Sequence, residues 1–156
     1  MITTANTQDG PHIHAVNANT SVFSQEEVAC VDELWQEYQA LGPERSGYYF
    51  IVEKEDEQVL GYACYGPRAL TDRTFDLYWI AVGPNARRGG VGRSLLAATE
   101  EAVRKMGGRL LIVETSGLPK FEATRAFYLA TGYALEATLK DFYKDGDDLV
   151  VFTKRL

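Results

Sequence analysis

Nowhere in its 156 residues does the chain carry an apolar run near the roughly 20 residues that a membrane-spanning helix needs. Its first ten residues are polar and lack the hydrophobic stretch of a secretory leader. These two absences lead to the expectation of a soluble, cytoplasmic protein with no membrane partner. Cysteine is scarce: Cys30 and Cys64 are the only two, too few for a disulfide scaffold or a cysteine-rich zinc site. Each falls in an apolar pattern, so buried free thiols are expected. Histidine is equally rare, and the His12-x-His14 pair offers two ligands on an unpatterned segment, so no metal is expected. Positive charge is in deficit, with a formal net charge of −6, which argues against a nucleic-acid partner because phosphate binding demands a basic face. Repeats, linkers and low-complexity tracts are also missing, which leaves one folding unit.

What is present is ordinary globular material, with 46% hydrophobic and 24% charged residues. Residues 1–20 read as an N-terminal tail, in which Ile13, Ala15, Val16 and Ala18 allow at most a short first strand. The domain proper is expected over 21–156. Ser24-Gln25-Glu26-Glu27 is a capping box that starts a helix at Gln25; Val28, Val31, Leu34, Trp35, Tyr38 and Leu41 follow at helical spacing until Gly42-Pro43 stop it. Residues 48–52 and 59–65 read as a hairpin around the charged stretch 53–58. A strand over 76–82, a helix from about Gly90 to Gly107, a strand over 109–114, a helix from Phe121 to Gly132 and two closing strands around residues 141–148 complete the order. This is one α/β domain with a mixed sheet.

The most informative stretch is Arg87-Arg88-Gly89-Gly90-Val91-Gly92-Arg93, set between an apolar strand and an amphipathic helix. The first N–H groups of a helix have no partner within it, so with the macrodipole they favour an anion there. Glycines let the anion approach the backbone, and arginines add charge. A Walker A loop is excluded, because Gly92-Arg93-Ser94 has arginine for lysine and Arg87 stands where the first glycine belongs. A dinucleotide fingerprint is excluded as well, since Gly90-Val91-Gly92 is followed by no third glycine.

The stretch instead resembles the acetyl-CoA motif of the GCN5-related N-acetyltransferase (GNAT) superfamily, Q/R-x-x-G-x-G/A, through Arg87, Gly90 and Gly92. Ile80-Ala81-Val82-Gly83-Pro84 is similar to the strand end that precedes that motif. Phe127-Tyr128-Leu129-Ala130-Thr131-Gly132-Tyr133 matches the family's C-terminal helix, and the resemblance spans residues 22–156. It implies the GNAT fold, a mixed, mostly antiparallel central sheet flanked by helices and splayed between the strand ending at Val82 and the strand ending at Glu114. It also implies acetyl-CoA as cosubstrate, with Ile80, Ala81 and Val82 contacting acetyl and pantetheine through the backbone and residues 87–93 surrounding the pyrophosphate.

The implied activity is N-acetylation of a primary amine on a small molecule or peptide, by direct attack in a ternary complex. Glu114 is the candidate base, because an alkyl ammonium must lose a proton before it attacks. Tyr128 is the candidate acid for the leaving sulfur, with an ordinary phenol pKa. The alternative for Glu114 is a strand-end carboxylate satisfied by the backbone or by Arg125. Asp76, Tyr78, Glu136, Asp141, Phe142, Tyr143, Asp147 and Asp148 are candidates for an acidic, aromatic acceptor mouth, foremost Tyr78, Asp141, Phe142 and Tyr143; the competing reading makes 141–148 a plain polar turn. A non-catalytic acyl-CoA-binding domain and an enzyme for another acyl group stay open, as does a homodimer.

Overall fold

The computed structural model describes residues 1–156. Its strands are β1 (Ile2–Thr4), β2 (Tyr49–Glu55), β3 (Gln58–Pro67), β4 (Thr74–Val82), β5 (Leu110–Ser116), β6 (Ala134–Lys144) and β7 (Asp147–Arg155). The helices are α1 (Gly10–Ala18), α2 (Gln25–Ser46), α3 (Val91–Lys105) and α4 (Glu122–Ala130). The strands form one sheet in the order β1-β2-β3-β4-β5-β7-β6, antiparallel except for the parallel pair β4 and β5. That pair needs a crossover, and α3 supplies it.

Helices cover both faces, as the two core clusters show. Behind the sheet, Val91, Leu95 and Leu96 of α3 and Tyr128 of α4 pack on Leu77, Val113 and Phe152. In front, Ile13 and Val16 of α1 and Val31 and Tyr38 of α2 pack on Val52 and Tyr62. The alternation of these strand residues sends each set to its own layer.

The expected tail over 1–20 is corrected: it is part of the fold. Residues 2–4 pair with Glu53, Val52 and Ile51, and residues 10–18 form a helix rather than a short strand. Gly10-Pro11 reads as a breaker, but proline at the first helical turn loses only an N–H that has no partner there. A capping box from Asn6 and Asp9 precedes it. Asn17 is fully buried and accepts a 2.7 Å bond from the Tyr62 hydroxyl, a long-range partner invisible in local sequence. The expectation for Cys30 is corrected too, since it is exposed while Cys64 is buried. Helix α2 begins at Gln25 as expected and breaks at Gly42, whose φ of 76° only glycine adopts freely; Pro43 then starts one further turn.

Candidate active site

Strand β4 is where the sheet opens. Its pairing with β5 runs from Thr74–Leu110 to Leu77–Val113 and stops. Beyond that point β4 continues beside β3 to Val82, whereas β5 continues beside β7 to Ser116. Opposite Cys64 and Tyr65 the β4 partners are Trp79 and Leu77, so Tyr78 is an extra residue in the strand. Such a bulge increases twist and turns the strand away from its neighbour. The divergence creates a cleft of about 860 Å³ whose walls include residues 77–82 of β4 and 113–116 of β5. Alternate peptide groups of residues 78–82 face it without a strand partner. The expected splay is therefore present, except that β5 runs two residues past Glu114, which lies inside the strand.

At one end of the cleft stands Arg87, followed by the start of α3. Gly90 occupies the N-cap position with φ 81°, and no side chain caps the helix. The N–H groups of Gly90, Val91, Gly92 and Arg93 donate to no backbone carbonyl. Arg87, Arg88, Gly89, Gly90 and Arg93 are exposed, and the chain's ion pairs leave all three arginines out. Val91 differs: its side chain is buried in the core, so only its backbone faces the turn. A methyl on Gly92 would sit 3.6 Å from Val82 Cγ2 and 3.7 Å from Phe127 Cζ, ordinary contact distances. Packing thus does not require glycine at 92.

Tyr128 lies deep in the same cleft, buried against Phe127, Tyr133 and Phe152. Burial pushes its phenol well above the ordinary range, which corrects the expectation of an unperturbed pKa. No protein group hydrogen-bonds its hydroxyl, yet the oxygen is not sealed from solvent. A hydroxyl so placed can only engage a cleft occupant or water, and it stays protonated throughout the physiological range.

Glu114 also lines the cleft, with its side chain 41% exposed. It does not meet Arg125, whose Nη1 instead donates to the Ser116 and Leu118 carbonyls and ties the end of β5 to α4. Its side-chain partner is Arg68, at 3.4 Å.

The acceptor candidates divide. Tyr78 and Tyr143 line the cleft; Asp141 and Phe142 do not. Burial, then Asp76, pushes the Tyr78 phenol up to about 12, so it is a donor. Burial raises the Tyr143 phenol, and the charges of Glu114, Asp147 and Glu27, which line the same cleft, add to the rise. Asp141 is corrected out of the mouth because its carboxylate accepts the Gly146 N–H at 2.7 Å, bracing the hairpin turn. Phe142 stacks edge-on against Tyr143 and stays out of the cleft lining. The stretch 141–148 is mostly strand, with Asp145-Gly146 as its turn.

Three groups were not legible in the sequence. The segment 20–27 before and into α2 forms a wall of the cleft, where Phe23 packs edge-on at 5.3 Å from Trp79. Ser116 and buried Asp147, hydrogen-bonded to each other, form its floor. Arg68 joins Asp76 and Glu114 from outside. The capping box hinted at the first and the acidic mouth included Asp76 and Asp147, but no local pattern marks Ser116, Arg68 or the pairings they make.

The structure is similar to solved proteins over its whole length. A protein from Desulfovibrio desulfuricans assigned to the GNAT family of acetyltransferases shares 42% identity, with TM-score 0.96 over 99% of this chain and 98% of that one. A ribosomal-protein-alanine N-acetyltransferase from Brucella melitensis shares 28% identity, with TM-score 0.81 over 100% and 99%. A Salmonella typhimurium protein solved with its cofactor acetyl-CoA shares the fold at 19% identity, TM-score 0.73, over 100% and 93%. No curated protein matches the sequence. No helix is long and apolar enough to cross a membrane. The acetyltransferase (GNAT) family model matches residues 15–133, the span that holds the opened strand pair, the glycine turn and Tyr128, and the chain belongs to that family.

Proposed function

We propose that the protein is an acetyl-CoA-dependent N-acetyltransferase that acts on a primary amine by direct attack in a ternary complex. One observation carries this reading: Arg87, which leads into the uncapped glycine turn, lines the same splayed-strand cleft as the protonated Tyr128 hydroxyl and the Glu114 carboxylate. Acetyl-CoA, when bound, supplies an acyl thioester. The free amides of residues 90–93 and the unpaired arginines suit its pyrophosphate, and the unpartnered peptide groups of residues 78–82 suit its pantetheine arm. An N–H at the same opened edge is placed to stabilise negative charge developing on the carbonyl oxygen. Glu114 takes the proton that the amine must shed, and Tyr128 gives one to the departing sulfur.

The reading is tested by measuring thiol release with acetyl-CoA against a panel of polyamines, amino acids, aminoglycosides and peptides with free N-termini or lysines. Amine-dependent release is expected with one class. Acetyl-CoA at a hundred times its dissociation constant should also raise the thermal midpoint by about 5–10 °C. A shift without release from any amine identifies a binding module instead, and neither effect overturns the cofactor assignment.

Gly92→Ala gives a sharper check on the turn. Alanine favours the helix by about 1 kcal/mol over glycine and its methyl fits, so thermal stability should hold or rise. Acetyl-CoA affinity should fall by about tenfold or more, because the methyl enters the volume the phosphate needs; in free energy that is about 1.4 kcal/mol. Unchanged affinity would place the pyrophosphate elsewhere.

A further inference from the structure

Arg68 stands outside the sequence motifs and outside the cleft lining, yet its guanidinium reaches the candidate base. It follows the last residue of β3, where its N–H donates to the Thr74 carbonyl at 2.8 Å and its own carbonyl accepts the Thr71 hydroxyl at 2.8 Å. Its backbone is therefore fixed by the β3–β4 connection. From there a single nitrogen, Nη1, lies 2.8 Å from Asp76 Oδ1 and 3.4 Å from Glu114 Oε1. Asp76 is the anchored partner, with its side chain only 12% exposed, while the Glu114 side chain is 41% exposed. No other side chain holds Glu114. A half-exposed glutamate without a partner spreads over its rotamers, and a base works only from a defined position.

We propose that Arg68 is the positioning residue of this site: anchored on Asp76, it holds the Glu114 carboxylate in place, facing the cleft. This rests on the reading of Glu114 as the base. Two carboxylates close together cannot both ionise freely, and one of such a pair keeps a proton that it would otherwise take from a substrate. A guanidinium shared between them removes that conflict. It also leaves the three groups with one net negative charge, which suits an arriving ammonium. Burial of Asp76 raises its carboxyl, Arg68 pulls it back and Glu114 adds to the rise, in keeping with this coupling.

Other groups face Glu114 as well. Tyr143 comes from β6, Asp147 from β7, Glu27 from α2 and Tyr78 from β4, all lining the same cleft. The two phenols are raised and stay neutral near pH 7, and Arg68 is the cation bonded to Glu114. Arg87, Lys120 and Lys144 line the same cleft without pairing with Glu114, so removal of Arg68 leaves Glu114 no bonded cation.

The test is a carbon-13 carboxyl titration of Glu114 by NMR, with the resonance identified by its loss in Glu114→Gln. In Arg68→Gln the Glu114 midpoint should rise relative to the wild type, because the one cation bonded to it is gone. In Arg68→Gln/Asp76→Asn it should return most of the way, since the competing carboxylate is gone. Arg68→Met keeps the aliphatic stem without the cation and should give a similar rise; it takes over as the test if Arg68→Gln fails to fold. For an amine that the wild type acetylates, the acid limb of kcat/KM should move with the Glu114 midpoint. An unmoved midpoint in Arg68→Gln or Arg68→Met overturns the proposal, as does a double variant that stays shifted. The titration needs no turnover, so it reports on Arg68 even if no amine in the panel is a substrate.

Discussion

Tyr128→Phe is expected to lower turnover by about a hundredfold, the lower range for loss of a general acid, while acetyl-CoA affinity changes little. The substitution is clean because the Tyr128 hydroxyl has no hydrogen-bond partner in the protein. Its ring, which packs against Phe127, Tyr133 and Phe152, is kept. Phenylalanine therefore leaves no orphaned donor or acceptor behind, and the folded state should be as stable or more so. A fall in turnover at constant thermal midpoint then reports on proton delivery to the leaving sulfur rather than on packing. Because burial lifts the phenol far above its usual range, the wild-type kcat should show no basic limb from Tyr128 up to about pH 10. Unchanged turnover in the variant would take Tyr128 out of the acid role.

Glu114→Gln is expected to lower kcat/KM by about a hundredfold to a thousandfold at neutral pH, with a pH dependence of its own. An alkyl amine with a pKa of ~10.4 is almost wholly protonated near pH 7, and its free-base fraction grows tenfold with each unit of pH. The wild type removes the proton through Glu114, whereas the amide variant must wait for amine already deprotonated. The gap between them should therefore narrow as pH rises toward the amine's own pKa. Glutamine keeps an oxygen that can accept from Arg68, so the fold should tolerate it. A constant ratio of the two rates across pH would move the base elsewhere, with Asp147 on the cleft floor as the next carboxylate to test.

Much of this architecture is written locally. The capping box at Ser24 and Glu27 forms both reciprocal bonds, at 3.2 and 2.7 Å, because each partner lies three residues from the other. The β2–β3 hairpin forms where expected, although its strands run through most of the charged stretch 53–58 and leave only Asp56 and Glu57 as the turn. The N-terminal helix α1 escapes such reading, since its buried Ile13, Val16 and Asn17 are spread among polar residues and its stability comes from packing on β3 and α2. Asp141 and Phe142 mislead for a related reason. Polar and aromatic content marks a possible mouth, but the strand bulge after Leu139 decides which of these side chains reaches the cleft.

By itself the sequence determined the glycine turn at residues 87–93, because a left-handed Gly90 and uncapped helical amides depend on a few consecutive residues. It also determined the strand before the turn, the order of the elements from α2 onward and the placement of Tyr128 on the last helix. Only the tertiary structure decided what surrounds Glu114. Arg68 is 46 residues away in the chain, and no periodicity links it to Asp76 and Glu114. They meet because β3, β4 and β5 are neighbours in one sheet, and because β4 and β5 part after Leu77 and Val113 to leave that junction open.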